Sequence, residues 1–285
     1  MYTFIVENQK GERLRLTQNE SVYQIVTIDG LNPPKANINL TSIAGMDGAR
    51  FKSSYLQTRN VVITVAINGE VEKNRLRLYN FFGTGHWCKL YYTNSSREVY
   101  CEGWCENVDG NLFQMKQTVQ ISIICPDPYF KSLAEIESDI SKEFANFEFP
   151  FAIDEEGEEF SILDMHREAE IYNGGEASCG VIITMRAEVD GIINPVIYNV
   201  KNPSEFLGLE MTLNLGDEVV INTNKGHKAI TKYVDGIGSN EINTLLPNST
   251  WFQLEQGLNT FYYDADANEA RLKINFAHHI LYEGV

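Results

Sequence analysis

The most regular pattern of apolar and polar residues lies at Arg59–Asn68, where every second position is apolar. A period of two predicts a β-strand with one buried face. After the turn at Asn68-Gly69 the spacing becomes helical and predicts a helix over Val71–Phe82, which Gly83 ends. The residues that define the strand face and the helix stripe are Val61, Ile63, Val65, Ile67, Leu78, Tyr79 and Phe82.

The rest of the first half is predicted to consist of strands and turns. The polar, glycine-containing stretch Ala36–Tyr55 is interpreted as an extended arm or a long loop. Two prolines in Cys125-Pro126-Asp127-Pro128 end the run of strands, because proline cannot donate to a β-ladder. The remaining predicted elements are a hairpin over Tyr2–Leu16 and strands at Tyr23–Ile28, Cys88–Thr93, Val99–Val108 and Leu112–Cys125.

The second half shows short strands separated by turns, with no intervening helix. Before them, the acidic stretch Leu133–Asn146 predicts either a short helix or a linker. Turn sequences such as Asn173-Gly174-Gly175 and Leu215-Gly216-Asp217 recur at short spacing, which is typical of an antiparallel β-sandwich. The predicted strands are Val181–Ala187, Val196–Asn199, Leu209–Leu213, Glu218–Thr223, Lys228–Val234, Trp251–Leu254, Thr260–Asp264 and Ala270–Ile280.

Charge divides the chain at the same place. Residues 1–130 carry 13 basic and 12 acidic residues, a net charge of +1, whereas residues 131–285 carry 10 and 27, a net charge of −17. We therefore predict a mainly β protein with two domains, 1–130 and 131–285. Neither domain has the basic patch with interleaved aromatic residues that nucleic-acid binding requires, so no specific nucleic-acid binding is expected.

The sequence also bears on the compartment. The opening residues Met1–Glu7 show no basic region and no apolar stretch of the kind a secretory signal needs. No run of apolar residues reaches the ~18 that a membrane span requires, so no membrane insertion is expected. The five cysteines are odd in number and scattered, which favours reduced thiols in a protein made in the cytoplasm.

Four groups of residues are candidates for chemistry, and two of them are pairs. Cys101 and Cys105 lie roughly 13 Å apart along a strand, so a shared metal or a disulfide would need a sharp turn at Gly103, and packed thiols are favoured. His278 and His279 are neighbours on a strand and point to opposite faces, which favours packing of His278 in the row of Leu272, Ile274 and Phe276.

The other two groups are an acidic run and an aromatic cluster. Asp154-Glu155-Glu156-Gly157-Glu158-Glu159 is interpreted as a solvated turn and not as a glycosidase pair, because it lies among polar residues. Trp251, Phe252, Tyr262 and Tyr263 leave open either core packing or stacking on sugar rings. With no nucleophile elbow, zinc motif or phosphate loop, the chain is predicted not to be an enzyme, and no residue is assigned a catalytic, cofactor or metal role.

The segment Cys125-Pro126-Asp127-Pro128-Tyr129-Phe130 resembles the distal tail (Dit) family of siphophages and related prophages. In that family a similar stretch closes the N-terminal domain after a strand and helix. The order of further matching segments extends the resemblance over nearly the full length. These segments are Asn194-Pro195, Leu215–Thr223, Trp251–Leu254, Gly257–Asn259 and Tyr282–Val285.

The resemblance implies an N-terminal belt domain followed by a galectin-like β-sandwich. It also implies a hexameric ring, alone or stacked, at the distal end of the virion tail. The ring would join the major tail tube protein to the tail-associated (Tal-like) hub of the baseplate, with receptor-binding protein as a further possible partner. The alternatives kept open are a carbohydrate-binding adhesin and, with less support from the residues, a glycosidase.

Overall fold

A computed structural model describes residues 2–17, 22–45, 47–139 and 168–285. The chain forms two compact units, one of Met1–Ala134 with Leu281–Val285 and the other of Glu135–Ile280. Strands dominate the described residues, which contain a single α-helix. The mainly β fold class predicted from the sequence is therefore confirmed.

The first unit contains a large antiparallel sheet, one helix and a separate hairpin. Along the sheet the strands follow the order β2-β1-β7-β8-β9-β6-β3, and β10 pairs with both β8 and β25. The elements are β1 (Thr3–Asn8), β2 (Arg13–Leu16), β3 (Tyr23–Asp29), β4 (Ala36–Ser42), β5 (Ala49–Leu56), β6 (Arg59–Ile67), α1 (Val71–Phe81), β7 (Trp87–Thr93), β8 (Glu98–Gly110), β9 (Thr118–Cys125), β10 (Phe130–Ser132) and, from the end of the chain, β25 (Leu281–Tyr282).

Strand β6 and helix α1 form where the sequence pattern predicts them. Val61, Ile63 and Val65 are fully buried, so the alternating face of β6 packs into the core. The helix ends at Phe81, and the backbone N–H of Phe82 donates to the carbonyl of Leu78 at 2.8 Å. Leu78 and Phe82 are buried, and they place the helix against the sheet.

The turn after β3 depends on a glycine. Gly30 has a φ of +88°, and a Cβ at this position would lie 2.1 Å from the carbonyl oxygen of Asn60 on β6. Only glycine fits both the backbone conformation and this close approach. The Asp29-Gly30 turn therefore brings the chain past β6 before it enters the next segment.

The stretch interpreted as an arm or long loop is an antiparallel hairpin of β4 and β5, whose register shifts between Asn39 and Leu40. Its polar strands pair partly through side chains. Asn37 donates to the hydroxyl of Tyr55 at 2.6 Å, and Asn39 donates to the hydroxyl of Ser53 at 2.9 Å. Such cross-strand hydrogen bonds stabilise strands whose composition alone does not signal β structure.

The last five residues were expected to belong to the second domain, but the structure places them in the first unit. Strand β25 pairs with β10 through Phe130 opposite Tyr282 and Lys131 opposite Leu281. The backbone N–H of Val285 donates to the carbonyl of Leu31 at 3.1 Å. The sequence order alone carries no sign of this return.

The second unit is an antiparallel β-sandwich. Its larger sheet has the order β11-β24-β14-β19-β20-β21, and its smaller sheet has the order β12-β23-β16-β17. The rings of Phe261 and Phe276, one from each sheet, stack with centroids 5.6 Å apart, so the inner faces of the two sheets meet there. The stretch Leu133–Asn146 contributes β11, and its residues from 140 onward lie outside the described part.

The strands of this unit are β11 (Ile136–Asp139), β12 (Glu168–Asn173), β13 (Cys179–Gly180), β14 (Ile182–Ala187), β15 (Ile192–Ile193), β16 (Val196–Asn199), β17 (Asn202–Gly208), β18 (Thr212–Leu213), β19 (Glu218–Asn222), β20 (Ala229–Val234), β21 (Ile237–Asn240), β22 (Gln253–Leu254), β23 (Gly257–Asp264) and β24 (Leu272–His278). Short 3₁₀ turns occur at Ile242–Thr244 and Glu269–Arg271.

Candidate interaction surfaces

The five cysteines are all buried and unpaired. Gly103 lies inside β8 and makes no sharp turn, so Cys101 and Cys105 stay apart along one strand. The sulfur nearest to Cys101 is that of Cys125 on β9, at 3.8 Å, a neighbour that spacing along the sequence does not reveal. The hydrogen bond shared by the Cys101 and Cys125 thiols, together with burial, raises the pKa of Cys101, and burial raises the pKa of Cys88 to about 12. Protonated, buried thiols are poor nucleophiles and poor metal ligands.

His278 lies on a strand as predicted, whereas His279 follows the end of that strand. His278 is 2% exposed and continues the buried row of β24, whereas His279 is half-buried. Neither ring nitrogen of His278 makes a hydrogen bond of good geometry to a described residue, although the backbone of Tyr172 lies close enough to favour the protonated ring. Burial, with the neighbouring His279, lowers the pKa of His278, so the ring is neutral at pH 7.

The acidic run Asp154–Glu159 lies outside the described residues. Within the described ranges, no group of three or more His, Cys, Asp or Glu side chains is arranged to hold a metal ion. No helix in the same ranges is long and apolar enough to cross a membrane.

The four aromatic residues singled out in the sequence do not share a surface. Phe252 and Tyr263 are buried in the core, and the Phe252 ring lies 5.0 Å from that of Phe261. Trp251 is half-buried beside the ammonium of Lys228, which lies 5.4 Å from the ring centre. Only Tyr262 lies on the outer face of the smaller sheet.

Tyr262 has aromatic neighbours that were not predicted from the sequence. The Tyr198 ring on β16 lies 6.4 Å from Tyr262 and 6.2 Å from Phe206 on β17. The three residues occupy one row across the sheet, because Tyr198 is the register partner of both others. The signal available in the sequence is the β-strand period of two, which places Tyr198 on the face opposite to Ile197 and Tyr262 on the face opposite to Phe261.

The β4–β5 hairpin is amphipathic. One face carries Ile38, Leu40 and Phe51, which are 57%, 59% and 60% exposed, and we call these three residues the hairpin apolar face. Leu40 and Phe51 are cross-strand partners, and Ile38 lies two positions before Leu40. The opposite face carries the hydrogen-bonded pairs Asn37–Tyr55 and Asn39–Ser53. Both faces are exposed to solvent, and the apolar face is the one that no other described residues cover although its side chains favour burial.

A second bare apolar feature lies in the turn between β8 and β9. The side chains of Phe113 and Met115 are fully or almost fully exposed, and Leu112 is 43% exposed. Gln117 donates to the carbonyl of Leu112 at 3.3 Å and closes the turn. Exposed aromatic and thioether side chains side by side are typical of protein-binding surfaces.

The two end strands of the first unit's sheet leave an apolar groove between them. Strands β2 and β3 contact each other through a bridge of Thr17 and Gln24, and the Ile25 N–H donates to the Thr17 carbonyl at 3.1 Å. Beside this bridge lies a groove of about 340 Å³, which we call the seam groove. Its lining residues are Tyr2, Phe4, Leu16, Thr17, Ile25, Val26, Thr27, Ile28, Leu31 and Tyr92.

Two protein-family models match this chain, one in each half. The family model of the siphovirus-type tail component, C-terminal domain, matches residues 174–279. The model of the phage tail protein RIFT-related domain matches residues 11–125. A sequence search among curated proteins gives no significant match.

Solved structures with similar folds come from a phage adsorption apparatus and a phage baseplate. The crystal structure of SPP1 Dit, described as a paradigm of the hub adsorption apparatus in phages that infect Gram-positive bacteria, matches with a TM-score of 0.69 and 16% identity. The match covers 97% of this chain and 99% of that one. A chain of the phage P2 baseplate in its activated conformation with Ca matches with a TM-score of 0.55 and 11% identity, over the full length of both chains.

Proposed function

Because this chain belongs to the siphophage distal tail (Dit) family, a structural component of phage tails, we propose that it assembles into a hexameric ring that joins the tail tube to the baseplate or tail-tip hub. The observation that carries the proposal is the bare hairpin apolar face of the first unit. A two-stranded hairpin is marginally stable in water on its own and needs an apolar surface to pack against. In a ring, that surface belongs to a neighbouring subunit.

Charge supports self-association through the first unit. Residues 1–130 have a net charge of +1, so copies of this part of the chain meet with little electrostatic repulsion. Residues 131–285 have a net charge of −17, and like-charged second units repel one another. The ring contact therefore belongs to the first unit, and the second unit is left free for other partners, such as a receptor-binding protein.

A connecting ring also needs contacts with the assemblies on its two sides. The exposed Phe113 and Met115 form such a contact, because their side chains are bare and belong to a short turn. The major tail tube protein and the Tal-like hub are the partners of the ring in this proposal. Its location is the distal end of the virion tail, after synthesis in the host cytoplasm. The ring is structural, and we infer that the chain is not an enzyme.

The ring is tested with the full-length protein by light scattering and by negative-stain electron microscopy. We expect a hexameric mass and ring-shaped particles. Leu40→Glu places a carboxylate on the hairpin apolar face and should give monomers. The matched control, Ile237→Glu, changes a side chain that is 76% exposed on the second unit and should leave the rings intact. A monomeric mass for the unaltered protein across a wide concentration range would exclude the proposal.

Carbohydrate binding is a second candidate, and the aromatic row of Tyr262, Tyr198 and Phe206 favours it. Rows of aromatic rings on an outer sheet face are suited to stacking on sugar rings. The exposed Glu168 lies opposite Tyr262 and offers a carboxylate that could accept hydrogen bonds from sugar hydroxyls. A glycan array tests this candidate. Retention that is lost in Tyr198→Ala supports it, and no retention by the intact protein removes it.

A further inference from the structure

The hairpin apolar face and the seam groove lie on the same unit and have matching chemistry, but the hairpin does not fill the groove of its own chain. None of the hairpin residues lines the groove, and Ile38, Leu40 and Phe51 remain more than half exposed. One chain therefore presents both an apolar projection and an apolar recess at different places. We propose that the seam groove of each subunit receives the hairpin apolar face of the next subunit.

The groove has the size and lining for such a contact. Its volume of about 340 Å³ is far above the ~10–15 Å³ that one water molecule requires, so the groove has room for several apolar side chains. Phe4 and Leu16 are buried and form its floor, whereas Tyr2 and Val26 are 69% and 52% exposed and stand at its rim. Water in a groove lined mainly by apolar side chains finds few hydrogen-bond partners, so apolar side chains displace it favourably.

The edge of β3 is also shaped to receive another segment. The register between β3 and β6 shifts between Ile25 and Thr27, so Val26 has no partner on β6. A bulge of this kind turns a side chain out of the regular ladder at a sheet edge. The exposed Val26 thus adds an apolar contact point beside the groove.

The contact joins two different surfaces, and this sets the symmetry. A contact between unlike patches is heterologous, so each bound subunit still offers one free hairpin and one free groove. Repetition closes into a ring when the rotation between neighbours permits it. A hairpin-to-hairpin contact would instead be isologous and would stop at a dimer. This inference rests on the proposed ring and identifies the residues that hold it together.

A mixing experiment tests this pairing directly. Leu40→Glu damages the hairpin and leaves the groove intact, whereas Val26→Glu damages the groove and leaves the hairpin intact. Both residues are more than half exposed, so the folds should persist, which circular dichroism checks. Ser53→Glu, on the polar face of the same hairpin, is the matched control and should still form rings.

We expect each variant alone to be monomeric by mass photometry or light scattering. Mixed in equal amounts, they should form a dimer and nothing larger, because only one intact hairpin and one intact groove remain in the pair. If the unaltered protein and Val26→Glu each form rings, the groove contact is wrong although the proposed ring stands. Monomers of the unaltered protein would overturn both. Two monomeric variants that stay monomeric on mixing would show that hairpin and groove do not bind each other.

Discussion

The guanidinium carbon of Arg59 lies 4.2 Å from the centre of the Phe130 ring, and both side chains are almost completely buried. The guanidinium also donates to four backbone carbonyls, those of Gly30, Asn32, Pro128 and Glu283. These carbonyls come from the turn after β3, from the segment before β10 and from the end of the chain. One charged side chain therefore ties three distant parts of the first unit together.

Arg59→Met should destabilise the first unit and release the end of the chain. The substitution keeps an apolar stem but removes every hydrogen bond to the four carbonyls, including that of Glu283. Hydrogen bonds to charged groups contribute about 1.5–3 kcal/mol each, and water replaces part of this at carbonyls that are only partly buried, so we expect a loss on the order of 3–5 kcal/mol. Urea unfolding measures the loss, and carboxypeptidase digestion measures access to the last residues.

The control for this prediction is Arg13→Met. Arg13 is largely exposed and pairs with Glu7 at 2.7 Å, so its loss should change stability far less than the loss of Arg59. Equal effects of the two substitutions would mean that the buried carbonyl contacts of Arg59 contribute no more than a surface ion pair.

Gly103→Ala should destabilise the first unit although alanine is the better strand residue. A Cβ at this position of β8 would lie 2.6 Å from the Ile124 carbonyl oxygen and 2.8 Å from the Cys125 sulfur. Backbone and buried sulfur cannot move aside freely, and overpacking of this kind costs about 1–3 kcal/mol. Thermal unfolding tests the prediction. Gly174→Ala, whose Cβ would meet nothing closer than 3.4 Å, should be nearly neutral.

The elements with strong periodicity were the predictable ones. The alternation at Val61, Ile63 and Val65 identified β6, and the helical stripe identified α1, because one-sided burial imposes these periods on the sequence. The hairpin of β4 and β5 was not recognised as a hairpin. Its exposed apolar face and polar opposite face imitate the composition of a loop, since neither face is buried within the chain.

Contacts between distant segments could not be predicted from local sequence patterns. Cys105, four residues from Cys101, is the neighbour that spacing suggests, yet the sulfur nearest to Cys101 is that of Cys125 across the β8–β9 ladder. In the same way, Glu283 meets Arg59 although 224 residues separate them. Such neighbours depend on which strands pair and on where the end of the chain lies in the fold. A local sequence pattern does not contain this information. The surface formed by Tyr198 and Phe206 beside Tyr262 was missed for the same reason.

Asp217→Asn should destabilise the second unit through Lys232. The Asp217 carboxylate accepts from the Lys232 ammonium at 2.8 Å and from the Asn214 N–H at 3.0 Å, and its side chain is 8% exposed. Burial alone would raise the pKa of Asp217, but these two hydrogen bonds outweigh it and lower the pKa. Removing one charge leaves the ammonium of Lys232 poorly compensated, and we expect a loss of about 2–4 kcal/mol.

A double-mutant cycle separates this ion pair from the surrounding packing. Asp217→Asn combined with Lys232→Met removes both charges, and the double variant should recover much of the stability that the single substitution loses. Urea unfolding at pH 7 provides the four stabilities. Strict additivity of the two single effects would show that the pair contributes no coupling.

The stability of the second unit should depend on pH through His278. Burial, followed by the neighbouring His279, lowers the pKa of His278 below its ordinary value of 6.5, and the backbone of Tyr172 and the carboxylate of Glu135 only partly oppose this change. As the pH falls below about 6.5, His278 therefore binds a proton in the unfolded chain but not yet in the folded chain. The stability is fully present above pH 6.5 and falls as the pH drops from 6.5 toward the lowered pKa. The slope of this fall approaches about 1.4 kcal/mol per pH unit for one excluded proton.

His278→Leu should remove this pH dependence, because leucine continues the buried row of Leu272, Ile274 and Phe276 without a titrating group. We expect the urea midpoint of the second unit to change less between pH 7.5 and about pH 5 in this variant than in the unaltered protein. His227→Leu, at an exposed turn position, is the matched control and should keep the original profile. His278→Leu removes one titrating group and no other. If its profile coincides with that of the unaltered protein, a different group causes the loss of stability in acid.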